Sequence, residues 1–171
     1  RELPTIAIER RKGRRYLTPK TLKSFSHIYE HHLDDYDWFM KADDDTYVVI
    51  ENLRYMLSQE DPNKPVYFGH NFIHFDRKVK QGYHSGGGGY VLSKEALRRF
   101  GKFGSPHCKN VTGAEDADIG YCMNHLNVTT MDSRDALNRT RFHCFYPSMH
   151  LTGEYPPWYK TYDPYYNGTA K

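Results

Sequence analysis

The chain has 171 residues, 38% of them hydrophobic and 15% aromatic with 15 Tyr, enough to bury one core of large packing groups and to make a single domain the default. Its formal net charge is only +3, and the basic run Arg10-Arg11-Lys12-Gly13-Arg14-Arg15 lacks the aromatic interleaving or recognisable module of a nucleic-acid surface, so it reads as a solvated loop with no nucleic-acid partner. No segment approaches the ~18 consecutive apolar residues of a membrane helix and no signal-peptide pattern opens the chain, so any membrane anchor is expected outside it.

Thr5 to Ile8 is predicted as a short strand, and the basic turn follows. Thr18 then caps a helix with Pro19 at its first position, and Leu22, Phe25, Ile28, Tyr29 and Leu33 recur along one face. His27, His31 and His32 on that helix have no acid-rich partner spaced to complete a metal site, so they read as its solvated end.

The stretch from Asp37 to Val49 organises the chain. Trp38-Phe39-Met40 has the length of a buried strand and runs directly into Asp43-Asp44-Asp45. Adjacent carboxylates repel, and their burial must be offset by a cation or by hydrogen-bond donors. Hard divalent ions such as Mg²⁺ or Mn²⁺ suit all-oxygen ligands and keep positions open for phosphates. Thr46 is predicted to cap a helix carrying Val49, Ile50, Leu53, Met56 and Leu57, which places the acids at a strand-to-helix turn, where open α/β sheets bind ligands. A solvated acidic helix N-terminus is the alternative reading of the triplet taken alone.

Asp61 to Pro65 forms a turn and Val66 to Gly69 a strand, and the helix–strand alternation indicates α/β architecture. In the stretch Gln81 to Ser93, four consecutive glycines, Gly86 to Gly89, remove every Cβ and let backbone approach a ligand closely. The pattern lacks the Gly-Lys-Ser/Thr of a phosphate loop. A flexible loop or bulge is the alternative, set against the strand that resumes at once in Tyr90-Val91-Leu92. Ser93 caps a helix from Lys94 to Arg99.

Between Ala114 and Leu126, Ile119, Met123 and Leu126 turn one helix face to a core and leave Glu115 and Asp116 at the N-terminal end. A carboxylate there is a general base if it reaches a substrate hydroxyl, or a dipole-stabilising surface acid if it does not. From Phe142 onward the chain reads as loop rich in aromatic rings, suited to stacking on sugars or to packing beneath a lid. Four glycosylation acceptors, Asn110, Asn127, Asn138 and Asn167, point to the secretory pathway. Cys108 and Cys122 flank a short loop that suits a disulfide, with Cys144 left over, and no Cys or His spacing matches a zinc site.

Taken together and in order, Trp38-Phe39-Met40-Lys41-Ala42-Asp43-Asp44-Asp45-Thr46-Tyr47-Val48, Tyr67-Phe68-Gly69, Gln81-Gly82-Tyr83 with Ser85-Gly86-Gly87, Gly89 to Leu97, Glu115-Asp116 and Asp132-Ser133-Arg134-Asp135 resemble the fringe-like inverting β1,3-glycosyltransferases. The resemblance runs from about Pro4 to Leu151. It implies a GT-A nucleotide-sugar transferase fold, a Rossmann-like α/β class, incomplete in this chain, with residues 1–151 as a partial transferase domain and 152–171 as an aromatic acceptor-side segment of the same domain. It further implies UDP-galactose as donor, Mn²⁺ as cofactor and O-linked GalNAc on glycoproteins as acceptor, in a Golgi lumenal domain anchored as a type II membrane protein; a homodimer is compatible with it. By position, Asp116 becomes the general base with Glu115 as runner-up, and Asp43 and Asp45 the metal ligands with Asp45 the chief one. Asp44, Gly86, Gly87 and Gly88 fall on the donor, and Trp158 and Tyr162 on the acceptor sugar.

The departures also carry expectations. The chain begins after the family's first nucleotide-binding strand and lacks the C-terminal Cys-Cys and Ser-Phe-His-Tyr segments, whose His is expected on the metal, while Pro19, Cys144 and Lys160 replace expected residues. The chain by itself is therefore expected to have little transferase activity, either as a fragment of a longer enzyme or as a catalytically impaired paralogue. A chaperone-like or sugar-binding relative is the non-enzymatic alternative, against which the intact Asp43-Asp44-Asp45 and Glu115-Asp116 count, and a lectin would keep the aromatics without needing the acids. A calcium loop would require a glycine and a later glutamate that Asp43 to Ile50 does not supply.

Overall fold

A computed structural model describes residues 5–8, 12–73, 79–109 and 112–166. In chain order a 3₁₀ turn (Arg14–Tyr16) leads into α1 (Leu17–His32), β1 (Trp38–Lys41), α2 (Ile50–Leu57), β2 (Val66–Gly69), β3 (Asn71–Phe72), β4 (Tyr83–His84), β5 (Tyr90–Ser93), α3 (Lys94–His107), α4 (Glu115–His125), β6 (Thr129–Thr130), α5 (Pro147–Thr152) and α6 (Tyr159–Tyr162). The main sheet has the order β1-β5-β2-β6; β5 is antiparallel to both neighbours, β6 is parallel to β2, and β3 and β4 form a separate antiparallel pair. This is a mixed α/β architecture.

Period-two alternation divides the strands between two cores. Phe39, Tyr67, Tyr90 and Leu92 join Phe25 of α1, Leu97 and Phe100 of α3, and Ile119 and Met123 of α4 on one face. Trp38, Met40, Val66, Phe68 and Val91 join Met56 and Leu57 of α2 and Phe142 on the other. The same parity carries Lys41, two residues after Phe39, onto the face covered by α1 and α4, and so decides what it meets.

Several local expectations are corrected. Thr5 to Ile8 forms no strand, because nothing pairs with its backbone among the described residues. Thr18 does not cap α1: the helix starts at Leu17 off the 3₁₀ turn, and the buried Thr18 hydroxyl donates to Asp118 Oδ2 at 2.7 Å, tying α1 to α4. Thr46 does not cap α2 either. Its Oγ1 accepts from the Asp43 N–H at 3.1 Å and donates to the Gly87 carbonyl at 3.2 Å, and α2 begins only at Ile50. Ser93 does cap α3, accepting from the Ala96 N–H, and that helix continues past Arg99 to His107. The C-terminal stretch contains the short helices α5 and α6 where loop is expected.

A Cys108–Cys122 disulfide, Cα atoms 4.7 Å apart, joins the residue after α3 to the middle of α4, and Cys144 is free. No helix among the described residues is long and apolar enough to cross a membrane.

Candidate active site

Lys41 and Tyr90 are opposite each other across β1 and β5, on the face that meets the N-terminus of α4. Tyr90 donates its hydroxyl to Glu115 Oε1 at 2.6 Å; the Lys41 ammonium lies 3.5 Å from Glu115 Oε2 and 2.6 Å from Asp43 Oδ1. Burial opposes the Lys41 charge, but Glu115 and then Asp43 outweigh it and hold the ammonium above its ordinary pKa. Burial, with Glu115 beside it, pushes the Tyr90 phenol well up, so it is a permanent donor. Glu115, whose side chain is 5% exposed, is thus enclosed between these two partners. Both of its oxygens are engaged from within the protein, by the Tyr90 hydroxyl and the Lys41 ammonium.

Asp116, one residue on, faces another way. Its Oδ2 accepts from the Gly86 N–H at 3.2 Å while Oδ1 accepts from Ala117 N at 2.9 Å. Gly86 is the meeting point: a Cβ placed there would lie 3.2 Å from Glu115 Oε2, 3.3 Å from Lys41 Nζ and 3.6 Å from Asp116 Cβ. The glycine run therefore binds together the acidic turn after β1 and the start of α4. The bareness of its middle serves the chain itself, since a Cβ on Gly87 or Gly88 would meet the carbonyl of Cys144 at 3.1 Å or of His143 at 3.2 Å. That close approach of the 143–144 backbone is itself a requirement for glycine at those two positions. Gly89 adopts φ +72°, a left-handed conformation suited to glycine.

Asp43, Asp44 and Asp45 are all exposed. Thr46 closes their turn, and the cleft beside it, about 320 Å³, is lined by Lys20, Thr21, Ser24, Lys41, Asp43 and Glu115 among others. The carboxylates are hard oxygen donors of the type Mn²⁺ or Mg²⁺ takes, so they fit such an ion by chemistry. They do not converge into a complete cage, for no cluster of three His, Cys, Asp or Glu able to hold a metal occurs among the described residues. Asp43 and Asp45 would make an open anchor that leaves most coordination positions to water and phosphate oxygens, and Asp43 is already engaged by Lys41.

The aromatic segment lies against β3 and β4. Tyr159 is buried with Phe72 and Tyr83, while Trp158 remains 46% exposed with its ring edge-on to Phe72 and Tyr162. Tyr162 is half-buried and its carbonyl accepts from Ile73 N at 2.8 Å. Burial first, then the charges of Asp116 and Tyr162, pushes the Tyr83 phenol up, and Ala117, the residue after Asp116, packs against the same aromatic cluster. Behind it, His70 Nε2 lies 3.4 Å from the Asp163 carboxylate and 3.3 Å from the Tyr159 hydroxyl, and Nδ1 donates to the Phe142 carbonyl at 3.1 Å. Burial pushes the Cys144 thiol up to about 12, which makes it a poor nucleophile.

Of the residues singled out in the sequence, Asp43, Gly86, Glu115 and Asp116 come together, and Trp158 and Tyr162 share the neighbouring aromatic wall. Asn127 and Asn138 are exposed at turns with φ +52° and +60°; Asn110 and Asn167 lie outside the described residues. Sequence reasoning passes over Lys41, Tyr90 and the Thr18–Asp118 bond. The one available signal is parity: a lysine two residues after Phe39 in a buried strand must meet the same face as that phenylalanine.

A mixed sheet whose first strand ends in an acidic turn, facing helix-borne carboxylates across a glycine run, is the arrangement of a GT-A glycosyltransferase fragment. The chain belongs to the Fringe-like family, whose model matches residues 8–145. Among particular relatives, it is 44% identical over 166 residues to glycoprotein-N-acetylgalactosamine 3-beta-galactosyltransferase 1 of Xenopus laevis, covering 94% of this chain and 45% of that protein. It is 32% identical to human chondroitin sulfate synthase 3 over 65% of the chain and 14% of that protein, and 32% identical to mouse beta-1,3-glucosyltransferase over 67% of the chain and 23% of that protein. The chain thus spans less than half the length of these curated relatives.

Proposed function

We propose that the whole protein transfers galactose from UDP-galactose, with inversion, in β1,3 linkage to O-linked GalNAc on glycoproteins, the first extension of a core 1 O-glycan. The observation that carries this reading is Asp116, held by the Gly86 N–H beside the acidic turn and next to an aromatic wall, in a chain 44% identical to a transferase named for that linkage and acceptor. In the proposed step the acceptor 3-hydroxyl oxygen attacks the anomeric carbon from the face opposite UDP. The new carbon–oxygen bond forms, the bond from the anomeric carbon to the diphosphate oxygen breaks with its electron pair leaving on UDP, and the hydroxyl proton passes to the Asp116 carboxylate. Lys41 and Tyr90 keep Glu115 out of this exchange. Asp43 and Asp45 would hold a divalent cation, which would supply Lewis-acid neutralisation of the diphosphate. Trp158 and Tyr162 present rings to the acceptor sugar.

In this reading residues 1–151 and 152–171 belong to one transferase domain, which the cluster shared by Tyr159, Phe72 and Tyr83 supports. The disulfide and the acceptors Asn127 and Asn138 on exposed turns support a lumenal, secretory location, which for this reading is the Golgi. Incubating the whole protein with UDP-galactose, Mn²⁺ and a GalNAc-bearing peptide tests the function: the expected product is a β1,3-linked disaccharide on the peptide. Transfer of another sugar in preference, or UDP binding with no transfer to any GalNAc-peptide, overturns it.

A further inference from the structure

Lys41 is the last residue of the edge strand β1, its side chain is 17% exposed, and its ammonium is 2.6 Å from the first carboxylate of the acidic turn. We propose that Lys41 is a positioning residue that acts as the resident cation of this turn, holding Asp43 until a divalent cation takes its place. The inference rests on the transferase reading above, and it concerns how this chain's own residues set the strength of the cation site.

The argument is one of charge and reach. Three consecutive carboxylates in one turn repel one another. Asp43 alone among them has an ion pair with a described residue, and that partner has a second anion within reach, Glu115 Oε2 at 3.5 Å. A cation arriving at Asp43 therefore does not strand the ammonium, because Lys41 can close on Glu115, which is buried and keeps Tyr90 as its other partner. Gly86 keeps this handover clear of side chains, since a Cβ there would come within 3.3 Å of the ammonium. Two positive charges cannot both lie on the Asp43 carboxylate without repulsion, so the lysine weakens metal binding while no donor is present. The turn then holds a cation well only together with a diphosphate whose negative charge offsets Lys41.

The test is the affinity of the whole protein for Mn²⁺ alone, read from the electron paramagnetic resonance signal of free Mn²⁺. Lys41→Met keeps the chain length and removes the charge, and should tighten Mn²⁺ binding by about fivefold, the scale of a partly buried ion pair. Lys41→Arg should leave affinity near the wild-type value. Structural damage would weaken binding, so the sign separates the two roles. Because Lys41→Met leaves Glu115 short of its partner, Lys41→Met with Glu115→Gln is the companion variant, and it should show the same gain. A readout on the unmodified protein needs no variant: Mg²⁺ added to protein with ¹⁵N-labelled lysine should move the Lys41 Nζ resonance. Unchanged or weaker Mn²⁺ binding in the charge-removing variants, or a Lys41 signal indifferent to Mg²⁺, overturns the proposal. A wild-type protein that binds neither Mn²⁺ nor UDP overturns the transferase reading, and this inference with it.

Discussion

Lys41 and Tyr90 are Cα partners across β1 and β5, and both reach the carboxylate of Glu115, the lysine at 3.5 Å and the tyrosine at 2.6 Å. Two neighbouring acids at the start of α4 are divided by this contact. Glu115 is consumed by the core, and Asp116 is left facing the glycine run.

Asp116→Asn keeps the shape and one oxygen that can accept from the Gly86 N–H, gives up the bond from the Ala117 N–H, and removes the proton acceptor. It should cut kcat by ~10² to 10⁴-fold while leaving UDP affinity nearly intact. Steady-state kinetics with UDP-galactose and a GalNAc-peptide, beside UDP calorimetry, check this. Near-normal turnover would refute the assignment.

Asp45→Asn should abolish metal-dependent binding of UDP, since Asp45 lies last in the acidic turn and, unlike Asp43, has no ion pair with a described residue. Calorimetric titration of UDP in the presence of Mn²⁺ decides it, and binding equal to the wild type would move the chief ligand elsewhere in the turn.

Replacing Cys108 and Cys122 together by Ser opens a bridge with a sequence separation of 14. For a loop of that size the loss of stability should be ~3 kcal/mol, visible as a lower urea midpoint. Non-reducing peptide mapping should recover Cys108 joined to Cys122, and recovery of Cys108 with Cys144 would contradict the structure.

Thr18→Val removes the hydroxyl that donates to Asp118 and leaves a buried carboxylate with its two remaining contacts from Thr112. The expected cost is ~1–3 kcal/mol, because the valine fills the space but satisfies nothing. A thermal melt indistinguishable from the wild type would show that this bond does not tie α1 to α4.

Acid should loosen the C-terminal aromatic segment. Burial pushes the Asp163 carboxyl up, but hydrogen bonds from His70 and Tyr159 overcome it and leave the carboxyl below its ordinary 3.8. A depressed carboxylate stabilises the fold in full above the unfolded value, and that contribution is lost as pH falls below 3.8 and through the lower folded value. Near-ultraviolet circular dichroism, which senses the Tyr155, Tyr159 and Tyr166 packing, should change over that window, and Asp163→Asn should flatten the change. An identical acid profile in the variant would dismiss this linkage.

The sequence alone determined the features that depend on local pattern. Short apolar runs marked the strands around Phe39, Phe68 and Val91, Ser93 marked the start of α3, and the order of acidic turn, glycine run and Glu115-Asp116 marked the family. Tertiary structure decided whatever depended on a distant partner. Thr18 and Thr46 look like helix caps because a hydroxyl before an apolar helix has the same local signature whether it meets its own helix or another segment, and here they meet Asp118 and Gly87. Thr5 to Ile8 has strand composition, but a strand exists only where a neighbour completes its ladder. Glu115 and Asp116 are chemically alike and adjacent, yet successive residues on a helix point about 100° apart. Which of the two meets Lys41 and Tyr90, and which meets Gly86, was settled only when α4 packed against the sheet.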